Sequence, residues 1–328
     1  MVKLAALLGP ALAALLVAAT CTWSAEFPVA DETPAESASE PARARYSLWN
    51  AAGESVFGDA YSHPERWRPL SVGTFFTEGW DQPWVGPPRG DGGAPRQSWL
   101  NAFNGAFYRT VHTTGGWVHD GGDAYNGSLA LDTPLNARTE LIWAIPYVDS
   151  TVDANGDRHT GFGDFALTTR FMLSETRDVS QSFDVIFRTP TGHLDNGNGV
   201  ASIEPHYEFW TNWWRGLVVR GGVGTAVPYN HDGVREAKAR TSFLGNLAVG
   251  YYFTPHDVPP VGDLVWYVST NLATLTDGRG PNTTTLTFTP GFRTYLGGNL
   301  YLFGGVEVPA TKPMPFDYQV LGELLRPF

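Results

Sequence analysis

The stretch from Gly161 to Pro190, GFGDFALTTRFMLSETRDVSQSFDVIFRTP, decides the fold class. Between Asp164 and Leu173 one parity reads Phe165, Leu167, Thr169, Phe171 and Leu173. The other reads Asp164, Ala166, Thr168, Arg170 and Met172. Period-two alternation sustained over this length is a strand with one greasy face and one polar face. A polar turn follows over Ser174 to Gln181, and the pattern resumes with Phe183, Val185 and Phe187 against Asp184, Ile186 and Arg188. The stretch is a long antiparallel hairpin. In a soluble sandwich its apolar face packs inward; in an outer-membrane barrel that face meets lipid and the charges line a polar lumen.

Outward from this hairpin the same alternation recurs to Phe328. It predicts about twelve strands, near 98–112, 124–133, 137–148, 163–173, 182–190, 201–210, 216–228, 241–253, 264–273, 283–296, 299–309 and 316–328. Their lengths meet or slightly exceed the roughly 9–11 residues a tilted membrane strand needs. Connections after even-numbered strands are mostly short, as at Thr211 to Arg215 and Gly297-Gly298. Those after odd-numbered strands are longer and polar, as at Asp149 to Phe162, Thr191 to Val200 and Tyr229 to Arg240; Thr254 to Asp263 breaks the rule. A soluble sandwich has no reason to sort loop length by parity, whereas membrane barrels do. The expected fold is all-β, an antiparallel transmembrane barrel over 98–328.

Composition agrees. The 328 residues are 42% hydrophobic and 17% charged, and 37 Gly with 24 Pro argue for many turns and against a helical protein. A mean hydropathy of -0.18 looks soluble, but a barrel exposes only alternate strand residues to lipid. The formal charge of -11 disfavours nucleic acid as a partner, since that needs a basic face.

Lys3 followed by the apolar run Leu4 to Ala19 predicts a secretory signal within residues 1–25. Cys21 sits in only a rough lipobox and is read as an ordinary cysteine. Residues 26–97 are expected to be a linker followed by an irregular segment. Its many rings, among them Trp49, Phe57, Trp67, Phe75, Trp80 and Trp84, should pack on the barrel rim or inside it as a plug. The terminal Phe328, on a strand reading back through Leu324, Val320 and Phe316, matches the usual signal for the barrel-assembly machinery. Trp210, Trp213 and Trp214 are expected in an interfacial girdle.

Chemistry-bearing residues fall on the polar parity. If Ser174 to Ser180 closes the turn, Arg170 faces Asp184. Arg188 then falls near Glu204, and Arg220 near Glu204 or His206. With Glu208 and Arg293 these are the candidate pore-lining residues. Glu204, His206 and Glu208 share a face, but strand residues two apart lie roughly 7 Å apart, awkward for one metal ion. Asp153-Ala154-Asn155-Gly156-Asp157 lacks the full acidic spacing of a calcium loop and reads as a turn. There is no G-x-S-x-G, and no Ser/His pair that strand pairing brings together, so neither an enzyme nor a cofactor is expected.

The segments GFGDFALTTRF (Gly161 to Phe171), FRTPTG (Phe187 to Gly192) and PHYEFW (Pro205 to Trp210) resemble transporters grouped with a phenol-degradation-pathway outer-membrane family. The resemblance covers Leu135 to Phe328. It implies an outer-membrane barrel whose partners are membrane lipids and small, often aromatic, organic solutes, and it carries over no functional residue. Two alternatives stand beside a channel: a closed structural or binding barrel, and a secreted soluble β-protein.

Overall fold

In the computed structural model, described over residues 46–120, 123–152, 158–192, 196–197, 199–230, 234–235, 238–277, 283–312 and 314–328, the alternating segments form one antiparallel sheet. Its strands are β1 (Thr110–His119), β2 (Asp123–Asn136), β3 (Thr139–Val152), β4 (Arg158–Phe162), β5 (Ala166–Glu175), β6 (Val179–Arg188) and β7 (Ser202–Trp214). They continue with β8 (Leu217–Pro228), β9 (Ser242–Tyr252), β10 (Gly262–Leu275), β11 (Thr284–Gly297), β12 (Leu300–Pro309) and β13 (Tyr318–Pro327). The order is β2-β1-β13-β12-β11-β10-β9-β8-β7-β6-β5-β3-β4, and β2 also pairs with β3, so the sheet closes on itself. β3 pairs with β5 over Thr139 to Ala144 and with β4 over Tyr147 to Val152, so β4 and β5 form one stave. The wall is a twelve-strand barrel with β4 as the extra strand.

The faces are inverted relative to a water-soluble core. Arg170, Met172, Asp184, Glu204, His206, Glu208 and Asn246 are buried on the inner parity. The outer parity exposes Leu129, Leu131, Ile145, Val249, Val268 and Leu324. A soluble chain buries its large apolar residues and wets its charges; a closed sheet sorted the other way needs an apolar surround. Exposed rings gather toward both ends: Trp213, Trp214, Tyr251, Phe253 and Trp266 at one, Tyr125, Tyr147, Phe162 and Phe187 at the other.

One end, the turn end, holds the short connections 137–138, 176–178, 215–216 and 298–299. It also holds the entry to β1 and the exit from β13. The connections from β6 to β7, β8 to β9 and β12 to β13 leave and re-enter the wall at the loop end, and 253–261 is the long connection at the turn end, as the sequence predicts. Among the described residues no helix is long and apolar enough to cross a membrane.

Two expectations are corrected. Residues 98–109 do not belong to the first strand, which begins at Thr110 and runs on to His119, so the barrel wall starts at 110 and not at 98. Trp99, Leu100, Phe107 and Tyr108 are almost wholly buried, because this stretch leaves the wall and packs inside it. Trp210 is also fully buried. It sits on the inner parity of β7 under the Arg96 guanidinium, 5.2 Å from the ring centroid, while Trp213 and Trp214 remain exposed.

Residues 46–109 carry one α-helix, α1 (Leu48–Phe57), started by the Ser47 hydroxyl accepting from the Asn50 N–H at 3.2 Å, and three short 3-10 turns. The helix buries Ala51 and Ser55 and leaves Leu48, Trp49 and Phe57 exposed. Further on, the Leu70 and Glu175 backbones exchange hydrogen bonds of 2.8 Å each way. The expected signal and linker, Cys21, and the 153–157 turn lie outside the described residues.

Candidate functional site: the barrel interior and its inner segment

The inner parity places Arg170 against three carboxylates. Its guanidinium bonds Asp184, directly opposite in the β5–β6 register, and reaches Glu140 Oε2 at 3.2 Å and Glu208 Oε2 at 3.1 Å. Buried charge is tolerable only when it is paired and hydrogen-bonded on every side. The remaining acceptor positions are used by the chain that passes through the lumen. Glu208 Oε2 accepts from the Asn104 and Gly105 N–H groups, at 2.9 and 3.1 Å, and Glu140 Oε1 accepts from Tyr108 N–H at 2.6 Å. Arg170 also donates to the Ala106 carbonyl at 2.9 Å.

Arg220, fully buried, grips the same segment from β8. It donates to the carbonyls of Phe103 (3.1 Å), Gln97 (2.8 Å), Arg96 (3.2 Å) and Asn104 (2.8 Å), and it lies over the Trp99 ring. The sequence expectation set Arg220 beside Glu204 or His206. The register instead sets it opposite Trp210. β7 runs on to Trp214 through a bulge after Asn212, and Arg215 (φ 38°) and Gly216 (φ 92°) make a two-residue turn, which moves every β8 partner.

The contacts of residues 96–109 continue around the wall. Asn246 on β9 accepts from Phe103 N–H and donates to the Asn101 carbonyl, both at 2.9 Å. Tyr267 on β10 stacks on Trp99 and accepts from Leu100 N–H at 2.9 Å. Asn101 donates to Thr289 on β11 and Glu307 on β12, and Arg293 donates to Gln97 Oε1 at 2.9 Å. Gly105 has φ 63°, and a Cβ there would meet the Phe209 backbone at 2.5 Å, so only glycine lets the chain lie this close to β7.

Below this, at the turn end, Arg138 is fully buried and donates to the carbonyls of Ser71, Glu78, Met172 and Leu173. Arg109 donates to Ser55, Gly58 and Phe328 carbonyls, tying α1 to the last residue. The Tyr61 hydroxyl donates to the Arg109 carbonyl, and burial raises its phenol above the usual value. Arg89 pairs with Asp263 at 2.6 Å; burial works against its charge, but the carboxylate outweighs it and raises the Arg89 pKa.

The other candidate residues lie nearer the loop end. Arg188 bonds Glu204 at 3.1 Å, and His206 stacks on Phe103 with ring centroids 4.9 Å apart. The structure thus brings Arg170, Asp184 and Glu208 together, pairs Arg188 with Glu204, and spends Arg220 and Arg293 on the inner segment. Sequence reasoning missed Glu140, Arg138 and Asn246. Polar parity was an available signal for Glu140 and Asn246, whereas Arg138 sits in a turn; many of their partners are backbone groups of 46–109, which leave no pattern in the sequence. Among the described residues no group of His, Cys, Asp and Glu is arranged to hold a metal ion.

No protein-family model matches this sequence, and no curated protein matches it. Among solved structures it is similar to an outer membrane channel from Pseudomonas putida F1, at 13% identity and a TM-score of 0.55, covering 71% of this chain and 100% of that one. Weaker likenesses are the CymD monoaromatic hydrocarbon channel (8% identity, TM-score 0.38, 73% and 96% covered) and the translocator domain of the autotransporter NalP from Neisseria meningitidis (11%, 0.37, 67% and 87%). The chain has the closed antiparallel barrel fold seen in outer membrane channels.

Proposed function

We propose that this protein is a bacterial outer-membrane barrel that passes small solutes, aromatic or hydrophobic ones among them, through a lumen narrowed by residues 46–109. The carrying observation is the inverted sorting of the closed sheet, with exposed Leu, Val, Ile and aromatic residues outside and buried ion pairs inside. A lipid surround makes that sorting stable, and a polar interior suits a passage for solutes. The turn end faces the periplasm in this reading, since short turns and chain ends gather there in such barrels. Its partners are membrane lipids and, through β13, the assembly machinery. Of the candidate lining residues, Arg188, Glu204 and His206 meet the solute in the loop-side half. Arg170, Asp184, Glu208, Arg220 and Arg293 set the width by holding the inner segment. The channel-like barrel fold and the motif resemblance to phenol-pathway transporters support the reading.

The test is liposome swelling by the full chain with a panel of small neutral organics and sugars. Swelling that depends on solute size supports a channel. A folded, membrane-inserted protein that admits none of them is a closed barrel, and recovery from the soluble fraction removes the membrane reading.

A further inference from the structure

The hydrogen bonds from residues 96–109 run to β3, β5 and β7 through β12, so the inner segment leans to one side of the lumen. Toward β1, β2 and β13 it leaves a cavity of about 230 Å³. The lining of the cavity mixes apolar Trp99, Leu100 and Leu321 with polar Ser98, Asn104, His112 and Glu323. Two of these side chains hold a buried polar atom without a partner, Ser98 Oγ and Asn104 Oδ1, while His112 and Glu323 pair with each other. Nδ1 and Oε1 face each other at 3.4 Å, and the far side of the imidazole meets Asp132 at 3.6 Å. Buried polar atoms left unpaired are costly, and two of them lining one cavity mark a place where a ligand supplies the missing partners.

We infer that this cavity is a binding subsite for a small uncharged molecule, about one ring in size, that carries a hydroxyl donor. Size follows from volume, since a cavity of about 150 Å³ already holds benzene. The donor follows from the lining: Asn104 Oδ1 and the Glu323 carboxylate accept, and Ser98 Oγ can do so. Neutrality follows from the apolar part of the lining, because a full charge would be desolvated against Trp99, Leu100 and Leu321. The inference deepens the channel reading, on which it rests for how the solute arrives; binding itself does not depend on transport.

The test reads the indole N–H of Trp99, which lines the cavity and donates to Tyr252 Oη at 3.2 Å. Its NMR signal, assigned by loss in Trp99→Phe, is followed in the folded full chain during titration with benzyl alcohol, toluene and benzylammonium. Benzyl alcohol is expected to give a saturable shift at about one-tenth the concentration toluene needs, as one good hydrogen bond would provide. In Ser98→Ala with Asn104→Ala the advantage should shrink to about twofold or less; Ser98→Ala alone, with a smaller loss, serves if the double variant does not fold. Toluene or benzylammonium binding as well as benzyl alcohol, or an undiminished preference in the variants, overturns the site. A saturable shift without liposome swelling keeps the site and removes the channel; swelling without the shift does the reverse.

Discussion

Arg170 stands directly opposite Asp184 across the β5–β6 hairpin, with Nη2 to Oδ2 at 2.7 Å and Nε to Oδ1 at 3.0 Å. The same guanidinium also touches Glu140 and Glu208, and those two carboxylates hold the N–H groups of Tyr108, Asn104 and Gly105. One cation on β5 therefore couples its own strand and three others, β3, β6 and β7, to the chain inside the wall.

Replacing Arg170 by Met would leave these buried carboxylates without their counter-charge. Breaking a buried pair by removing one partner costs about 3–5 kcal/mol. Arg170→Met is expected to lose stability on that scale in denaturant unfolding from micelles, and to release the inner segment to protease. A midpoint equal to the parent's would mean the cluster is not held by this charge.

Arg220 makes a separate prediction because its partners on the segment are four backbone carbonyls and the Tyr108 hydroxyl. Arg220→Ala removes the donor fork but no part of the wall's hydrogen-bond ladder, so the barrel should still insert. The loosened segment should then raise single-channel conductance in planar bilayers, with Arg220→Lys intermediate, since a point charge cannot serve four acceptors as a planar fork does. A conductance unchanged in Arg220→Ala would show that the segment does not limit the passage.

Much of the wall was legible because lipid-facing and lumen-facing residues must alternate and one slip would turn every side chain over. Phe183, Val185 and Phe187 against Ser182, Asp184 and Ile186 therefore fix a strand, and a short polar turn fixes Arg170 opposite Asp184. What failed was the reading of residues 98–109. Trp99 and Phe103 stack on the wall residues Tyr267 and His206, and Phe107 packs with Leu70, Trp84 and Met172, in contacts whose spacing no repeat governs. Arg220 failed for a local reason, a bulge after Asn212 that no composition signals. The clamps at Arg138 and Arg109 were illegible in principle, since any residue supplies a carbonyl.

The outer face is tested by charge. Leu129, mid-strand on β2, is about half exposed. Were the surround water, Leu129→Arg would fall within about 0.5 kcal/mol of the parent, as surface substitutions usually do. Against hydrocarbon near the bilayer midplane, the same change costs roughly 2–4 kcal/mol. Folding into bilayers, read by heat-modifiable migration after denaturant titration, should show the larger loss. An innocuous arginine here would return the protein to the soluble class.

Glu204 tests the lumen above the inner segment. It sits on the inner parity of β7, and its carboxylate bonds Arg188 at 3.1 Å and the Ser202 hydroxyl at 2.7 Å. Glu204→Gln keeps the shape and removes the negative member, leaving Arg188 to set the local potential. A unit charge at 10 Å in water is worth about 0.4 kcal/mol, a factor of about two in the local concentration of a monovalent ion. The cation-to-anion permeability ratio should fall by about that factor at 0.1 M salt, and much less at 1 M, where screening shortens to about 3 Å. Arg188→Gln should move the ratio the other way. Glu208→Gln should behave differently again, because Glu208 holds the Asn104 and Gly105 N–H groups, so its loss should raise conductance through a loosened segment. Reversal potentials in a salt gradient separate these outcomes. If neither Glu204→Gln nor Arg188→Gln moves the ratio in a conducting channel, ions do not pass this pair, and the route lies wholly along the β1–β2–β13 wall.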